Sequence, residues 1–490
     1  MVKEGRRKRA RTRVFLAGMI GVGISAAVGG CKSPSRADSF AFEQVSVPIG
    51  VTTELASDQT GNRLVDFQQD KPRTETPAEV VPPGPAATMG TLAATDDVTV
   101  DDYVSLALAA HPRIQAARLK VSAAIARVPQ LRALPDPSFS NTFWPIQDLA
   151  TQTAGGRLGN QMSLSQRIPW PEKLTAQAAA ATKEIQIAQA EVESVERQII
   201  ESVRLAYYEL WFTDQAILIV NENRELVEEL VTIAEARYST GGRQSDVARA
   251  ELEVDKLAEQ LIKLQGQKSM AQADLAALLH QDGLMPNAGP ELDVTLLPTE
   301  LDQLIARAEA DNPSLRGLAW QIQRDRQQRQ VACLEKYPDL QLGIGWALIS
   351  TDNAISPVAN GRDNLGFTVG VTLPIRREKI NAGIREADAI ERSSVQLHQA
   401  TRDELFGKVR RLYAQAESYT QQLSLYQEKI IPRTNRTLKF AAADYRGKRA
   451  DFFDVIDIYQ ELLMHQLQVA RIQATLAGTI AQLERVAGQH

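Results

Sequence analysis

Apolar residues return at alternating spacings of three and four along two stretches of this chain. Val247, Ala250, Val254, Leu257, Leu261, Leu264, Lys268, Ala271, Leu275 and Leu278 make up the first. Val455, Ile458, Leu462, His465, Val469, Ile472, Leu476, Thr479, Leu483 and Val486 make up the second. A seven-residue apolar repeat sustained over so many turns predicts a long helix that supercoils left-handedly against a neighbour. Ahead of the first stretch, the segment between Pro171 and Gly241 contains neither glycine nor proline. An uninterrupted helix there spans about 100 Å, more than a compact domain holds.

A period of two governs four shorter segments. From Leu365 to Leu373 every second residue is large and apolar (Leu365, Phe367, Val369, Val371, Leu373), and those between are glycine or threonine. Leu340, Leu342, Ile344, Trp346 and Leu348 alternate likewise with Gln341, Gly343, Gly345 and Ala347. Earlier the signal is weaker: Met162, Leu164 and Ile168 against Ser163, Ser165 and Arg167, with Phe139 and Phe143 on a preceding strand. About nine residues with an apolar outer face and a small or polar inner one suit a transmembrane barrel strand. Trp144, Trp170 and Tyr337 fall near strand ends, where interfacial aromatics belong. A half-buried sheet in a soluble protein alternates in the same way, so the period alone leaves both readings open. Four strands cannot close a transmembrane barrel, and lipid tolerates no open sheet edge. If these strands lie in a membrane, the protomer must oligomerise.

Both patterns occur twice, in the same order. His111-Pro112 is echoed by Asn312-Pro313, and Ile168-Pro169 with Glu172-Lys173 by Leu373-Pro374 with Glu378-Lys379. Val203-Arg204 with Tyr207 returns as Val409-Arg410 with Tyr413, and Asp246-Val247 as Asp454-Val455. The offset drifts only from 201 to 208, which argues for an ancestral duplication. One unit covers residues 97–285 and the other 299–490, joined by a connection over 286–298. Each unit is expected to hold a short helix, two strands, a very long helix, a tight turn and a second long helix.

The first thirty residues read as an export signal. A basic stretch (Lys3, Arg6, Arg7, Lys8, Arg9, Arg11, Arg13) leads into an apolar run from Val14 to Val28, too short to remain as a spanning helix. The run ends in Val28-Gly29-Gly30-Cys31, which resembles a bacterial lipobox with Cys31 as the acylated residue; a plain secretory signal beside a chance cysteine is the competing reading. With Cys31 committed to lipid, Cys333 as the one other cysteine rules out a disulfide framework. Lys32, rather than an aspartate, resembles the sorting position of lipoproteins sent to the outer membrane. Residues 31–96, rich in Pro, Thr, Asp and Ser, read as a linker. The formal charge is −5, and removal of seven basic residues and one acidic residue with the signal leaves −11. So acidic an exported chain is no nucleic-acid binder. After residue 30 no apolar run is long enough for a transmembrane helix.

Two copies of helix, strand, strand, long helix, turn and long helix resemble the TolC family of outer-membrane efflux proteins, over nearly all of the chain after the linker. Gln166-Arg167-Ile168-Pro169-Trp170-Pro171-Glu172-Lys173 is similar to the family's strand-to-helix passage, and Val371-Thr372-Leu373-Pro374 to its second copy. Tyr238 with Gly241 and Asp246-Val247, and Tyr445 with Gly447 and Asp454-Val455, resemble the turns at the periplasmic tips. The resemblance implies a mainly α fold with a transmembrane β-barrel: a homotrimer whose twelve strands close one barrel and whose twelve helices form a periplasmic tunnel. It implies an exit duct for efflux or type I secretion, lipid-anchored in the outer membrane. The implied partners are a periplasmic adaptor and an inner-membrane transporter, including the resistance-nodulation-division type. Two positions depart from the family pattern. Glu172 stands where glycine is common, and Gly447 follows Tyr445 one residue sooner than Gly241 follows Tyr238.

On this reading the tips, residues 238–247 and 445–455, are both docking surface and gate. Gly241, Gly242 and Gly447 would permit the helix reversal, and Arg243, Arg446, Lys448 and Arg449 would supply ion pairs that hold it shut. Asp246, Asp451 and Asp454 are candidate acidic groups at the entrance, where negative potential attracts cations. Asp246 and Asp454 equally suit helix capping. An enzyme is not expected: the five histidines are scattered, and no metal-ligand set, cofactor motif or phosphate loop is present. A periplasmic adaptor or a coiled-coil structural protein of the envelope is the competing class. Adaptors, however, flank one hairpin with soluble β-domains, and a stalk has no use for the strands.

Overall fold

The computed structural model describes residues 99–146, 150–281, 283–292 and 300–488. The expected signal, Cys31, the linker to residue 96 and part of the 286–298 connection lie outside the described residues. The first half runs α1 (Val100–Ala110), α2 (Pro112–Arg132), β1 (Ser138–Phe143), β2 (Gln152–Thr153), β3 (Gly156–Ile168), α3 (Pro171–Ser239) and α4 (Gln244–Leu279). The second runs α5 (Leu301–Asp311), α6 (Pro313–Leu334), β4 (Asp339–Ser350), β5 (Asn364–Thr372), α7 (Arg377–Leu425), α8 (Ile431–Arg446) and α9 (Phe452–Ala487).

Each half carries two helices ahead of its long strands, where one short helix was expected. Proline disfavours helical backbone at the residue before it, so a helix ends there and another begins. His111 accepts a hydrogen bond from the Arg113 amide at 3.1 Å, and Asn312 accepts from Ser314 at 3.0 Å and Leu315 at 3.3 Å. Each closes one helix and caps the next, with proline at the first helical position.

Helix α3 is unbroken over 69 residues, as the lack of glycine and proline predicts. Its counterpart is divided: a turn of π-helix over Tyr426–Ile430 separates α7 from α8. Pro432 there has no N–H for the helical ladder and crowds the carbonyl a turn earlier, and the wider turn absorbs the conflict. α3 lies between α4 and α9, and α9 is flanked on its other side by α7 and α8. No position of either seven-residue register is exposed. Val220, Val227 and Leu230 of α3 pack with Leu257, Leu261 and Leu264 of α4 and with Val455, Tyr459 and Leu462 of α9. Lys268, the one charged position in the first register, pairs with Asp214 of α3 at 2.6 Å.

The strands form one antiparallel sheet in the order β1-β3-β4-β5, with short β2 paired to β3. The register sorts side chains by face, with Asn141, Asn160 and Gln166 as polar exceptions on the apolar side. Phe139, Leu164, Ile344 and Phe367 stand in one row, while Ser138, Ser165, Gly343 and Thr368 stand in the neighbouring row on the opposite face. Ser140, Ser163, Gly345 and Gly366 continue that second face. It is knitted by hydroxyl contacts, Ser138 to Ser165 and Ser140 to Ser163, each at 2.7 Å. None of the described residues covers the first face: Phe139 is 66% and Phe367 78% exposed. Strands β1 and β5 each pair on one side only. Among the described residues no helix is long and apolar enough to cross a membrane.

Sheet and helices meet at a buried charge cluster. Trp170 supplies no side-chain cap for α3; the Asp339 carboxylate of β4 instead accepts from the Trp170 amide at 3.3 Å. It also accepts from Lys173 at 2.9 Å and Arg167 at 2.7 Å. Lys173 and Asp339 are both buried, and the Trp170 and Tyr337 rings stack beside them at 5.0 Å. A buried ammonium in the first turn of a helix opposes the helix dipole and needs such a counter-charge. Replacing Asp339 with alanine strands that ammonium. The expected loss is about 3 kcal/mol of stability, read as a fall in the denaturation midpoint of the detergent-solubilised protein; an unchanged midpoint would show that the cluster contributes nothing.

Candidate functional site: the paired helix turns

The turn between α3 and α4 occupies Thr240 to Arg243. Arg237 is its anchor: its carbonyl accepts from the amides of Thr240 at 3.1 Å and Gly242 at 2.9 Å. Gly241 takes φ +92°, a left-handed conformation that glycine enters without steric cost. A Cβ on Gly242 would sit 2.9 Å from the Arg237 carbonyl oxygen. The backbone of this turn thus calls for glycine at both positions.

The second turn solves the same problem with other residues. Gly447 has φ −78°, which any residue adopts, and Lys448 takes the left-handed position at φ +61°. This corrects the expected role of Gly447. Counted from the tyrosine, Lys448 follows Tyr445 by the interval that separates Gly241 from Tyr238, so Lys448 is the geometric equivalent of Gly241. The amide of Arg449 reaches back to the Asp444 carbonyl at 2.8 Å, as that of Gly242 does to Arg237. This turn is one residue longer than the first, which is why Asp454 follows Tyr445 by nine residues where Asp246 follows Tyr238 by eight.

Neither Asp246 nor Asp454 is a helix cap. Arg243 and Asp451 occupy the capping positions, and neither makes a side-chain cap bond. Asp246 lies in the first turn of α4 and accepts a hydrogen bond from the hydroxyl of Tyr445 at 3.1 Å. Tyr445 is 1% exposed. The Arg237 guanidinium sits 4.0 Å over its ring and Phe452 packs at 5.1 Å. Burial, then the Asp246 carboxylate, raises the pKa of the Tyr445 hydroxyl above its ordinary value, which keeps it a donor. Tyr238, its repeat equivalent, is instead half exposed.

Three of the four expected cations find carboxylates within the protomer. Arg243 meets Asp451 at 3.9 Å, Arg446 meets Glu229 at 3.4 Å, and Arg449 meets Asp444 at 3.6 Å. All are exposed, and Arg243 with Asp451 ties one turn to the other. Lys448 and Asp454 have no ion-pair partner among the described residues. Arg237, which the sequence did not single out, also donates to the Ala450 carbonyl at 3.4 Å and so holds both turns at once.

Two long helix pairs closed by interlocked turns, attached to a sheet with one apolar face, match known proteins in both sequence and fold. The family model for outer membrane efflux proteins matches residues 103–280 and 304–489. The chain belongs to the outer membrane efflux protein family. No curated protein sequence matches it significantly. The solved structure of CusC, studied for its folding and transmembrane channel formation, is similar at TM-score 0.68 and 18% identity, covering 80% of this chain and 92% of CusC. The outer membrane protein VceC of Vibrio cholerae is similar at TM-score 0.65 and 19% identity, covering 80% of this chain and 96% of VceC. The Campylobacter jejuni CmeC outer membrane channel is similar at TM-score 0.66 and 17% identity, covering 79% of this chain and 85% of CmeC.

Outer membrane efflux proteins are passive conduits rather than enzymes, set in the outer membrane and extending into the periplasm. They work with an adaptor and an inner-membrane pump. The family match sets aside the adaptor reading. Two of the scattered histidines make local structural contacts: His111 caps α2, and the ring of His465 lies 5.6 Å from that of Tyr426.

The turn geometry makes a prediction at Lys448. Left-handed backbone costs a side-chain-bearing residue about 1–2 kcal/mol, and glycine gives back part of that gain through the unfolded chain, about 0.4–1 kcal/mol. Lys448→Gly should therefore stabilise the second turn by about 0.5–1 kcal/mol, seen as slower amide hydrogen exchange at the tip. Faster exchange there would contradict the geometry.

Proposed function

We propose that this outer membrane efflux protein is the exit duct of a tripartite pump or type I secretion system. Three copies would close a twelve-stranded barrel through the membrane and a twelve-helix tunnel across the periplasm. The observation that carries the proposal is the sheet: among the described residues one largely apolar face lies open, and β1 and β5 have unpaired edges. Lipid would leave those edge groups unsatisfied at several kcal/mol each. Four strands are below the smallest closed membrane barrel, whereas pairing β5 of one copy with β1 of the next removes every edge at once. The face of serine, threonine and glycine then lines a wet lumen. In this reading residues 1–30 are the export signal, Cys31 carries the acyl anchor, residues 31–96 tether it, and 97–285 and 299–490 are the two repeats.

Light scattering on protein extracted from outer membranes in mild detergent, corrected for bound detergent and lipid, should give three protomer masses. The protomer mass in the same preparation should show a mature N-terminus at Cys31 with acyl chains added. A monomer would defeat the closed barrel, and an unmodified N-terminus would defeat the anchor.

The tips serve in this proposal as docking surface for the adaptor and as gate, through Tyr238, Gly241, Gly242, Arg243, Asp246, Tyr445, Arg446, Gly447, Lys448, Arg449, Asp451 and Asp454. Magnitudes rank the contacts. Exposed ion pairs such as Arg243 with Asp451 contribute little, whereas a buried hydrogen bond to a carboxylate is worth about 1.5–3 kcal/mol. Tyr445→Phe should therefore raise the open fraction in planar bilayers and the leak of large antibiotics into cells more than Arg243→Glu does. Wild-type conductance and leak in both variants would remove the gate from the tips.

A further inference from the structure

We infer that Arg167 is a selectivity-determining residue of the conduit, one that favours anionic solutes, carboxylates and phosphates among them. This rests on the trimeric channel proposed above, in which it would be presented three times around the lumen where sheet and helices meet. The register places Arg167 opposite Gln341, and Gln341 opposite Gly370. That row continues the face of Ser165, Gly343 and Thr368, the face turned away from the apolar one and therefore toward water. The Arg167 side chain is 63% exposed. Of its donors only Nη2 is engaged, on Asp339 at 2.7 Å; Nε and Nη1 have no partner among the described residues.

The charge of Asp339 does not cancel that of Arg167, because Lys173, buried behind it, claims the same carboxylate at 2.9 Å. Two cations thus share one anion. Glu335 approaches Lys173 only at 3.5 Å and is 56% exposed, and Lys336 follows it in sequence. Within the strands themselves the wall offers no carboxylate besides Asp339. Strands β1 and β5 contain no ionisable side chain, β4 only Asp339, and β3 only Arg157 besides Arg167. Arg157, at the far end of β3, is turned to the loops, donating to the Asn353 and Ala150 carbonyls. An exposed guanidinium with open donors, on strands that carry few other charges and are surrounded by low-dielectric lipid, raises the local anion concentration. The open guanidinium fork matches planar oxyanions.

The test is the reversal potential of the assembled trimer under a potassium chloride gradient. Arg167→Gln, which leaves the Lys173 and Asp339 pair intact, should lower the chloride-to-potassium permeability ratio roughly threefold at about 0.1 M salt, with the difference shrinking at 1 M. Arg167→Lys should keep the wild-type ratio. Gln341→Glu adds a carboxylate opposite Arg167 while keeping Arg167, Asp339 and Lys173 in place and should lower the ratio as Arg167→Gln does, so the inference does not depend on one variant assembling. Wild-type ratios in the glutamine and glutamate variants would overturn it. A wild-type protein that gives no trimer or no conductance would instead overturn the channel reading beneath it.

Discussion

Attachment of the second half of the chain to the single helix α3 is the interaction on which the rest of the structure depends. Along its length α3 pairs charges with second-half residues: Glu184 with Arg324, Glu193 with Arg316, Glu201 with Arg485, Arg204 with Glu484 and Glu209 with Arg471. Between these contacts its apolar positions fill the seam with α9. Most of the pairs are partly exposed and individually weak. Their spacing fixes the register of one half on the other, while burial supplies the free energy, about 1.5–3 kcal/mol for each large apolar side chain. A break in α3 would let the halves slide. A break in the α7 segment does not, which is why a π-turn at Pro432 is tolerated there.

The duplicated halves keep their elements and exchange their details. The left-handed position of the turn passes from Gly241 to Lys448, and the two equivalent tyrosines take opposite environments, Tyr238 exposed and Tyr445 sealed. Two identical hairpins side by side could not both place a tyrosine between them. One copy must supply the wedge and the other the Asp246 that receives it, so the repeat becomes asymmetric where its copies touch.

Sequence carried the periodic parts of this structure well. The two seven-residue registers lie on buried faces, and the strands alternate as Phe367 and Gly366 foretold, because burial and exposure repeat with the geometry of the element itself. The prolines at 112 and 313 carried a signal too, but as helix starts within a helical stretch, which composition alone does not separate from a single helix. What could not be read was pairing at a distance. Asp339 meets Lys173 across 166 residues, and Arg237 stacks on Tyr445 from the other half. No period links such residues. Gly447 misled for a related reason: a glycine near a helix end suggests left-handed backbone, yet the hydrogen-bond closure from Arg449 to Asp444 fixes that position one residue later.

The distribution of these contacts also sets where the molecule yields. Along the seam most turns of helix bury leucine, valine or alanine, and opening those parts exposes apolar area. Toward the turns the apolar contribution narrows to Tyr445, Phe452 and their immediate neighbours, and the remaining ties are exposed ion pairs and single hydrogen bonds. Local opening follows the lowest density of buried apolar contact. In the proposed gate the turns would therefore part at a lower cost than the seam, with α3 intact behind them. A conduit that is rigid along its length and yielding at one end follows from where the sequence stops supplying large apolar residues to the seam.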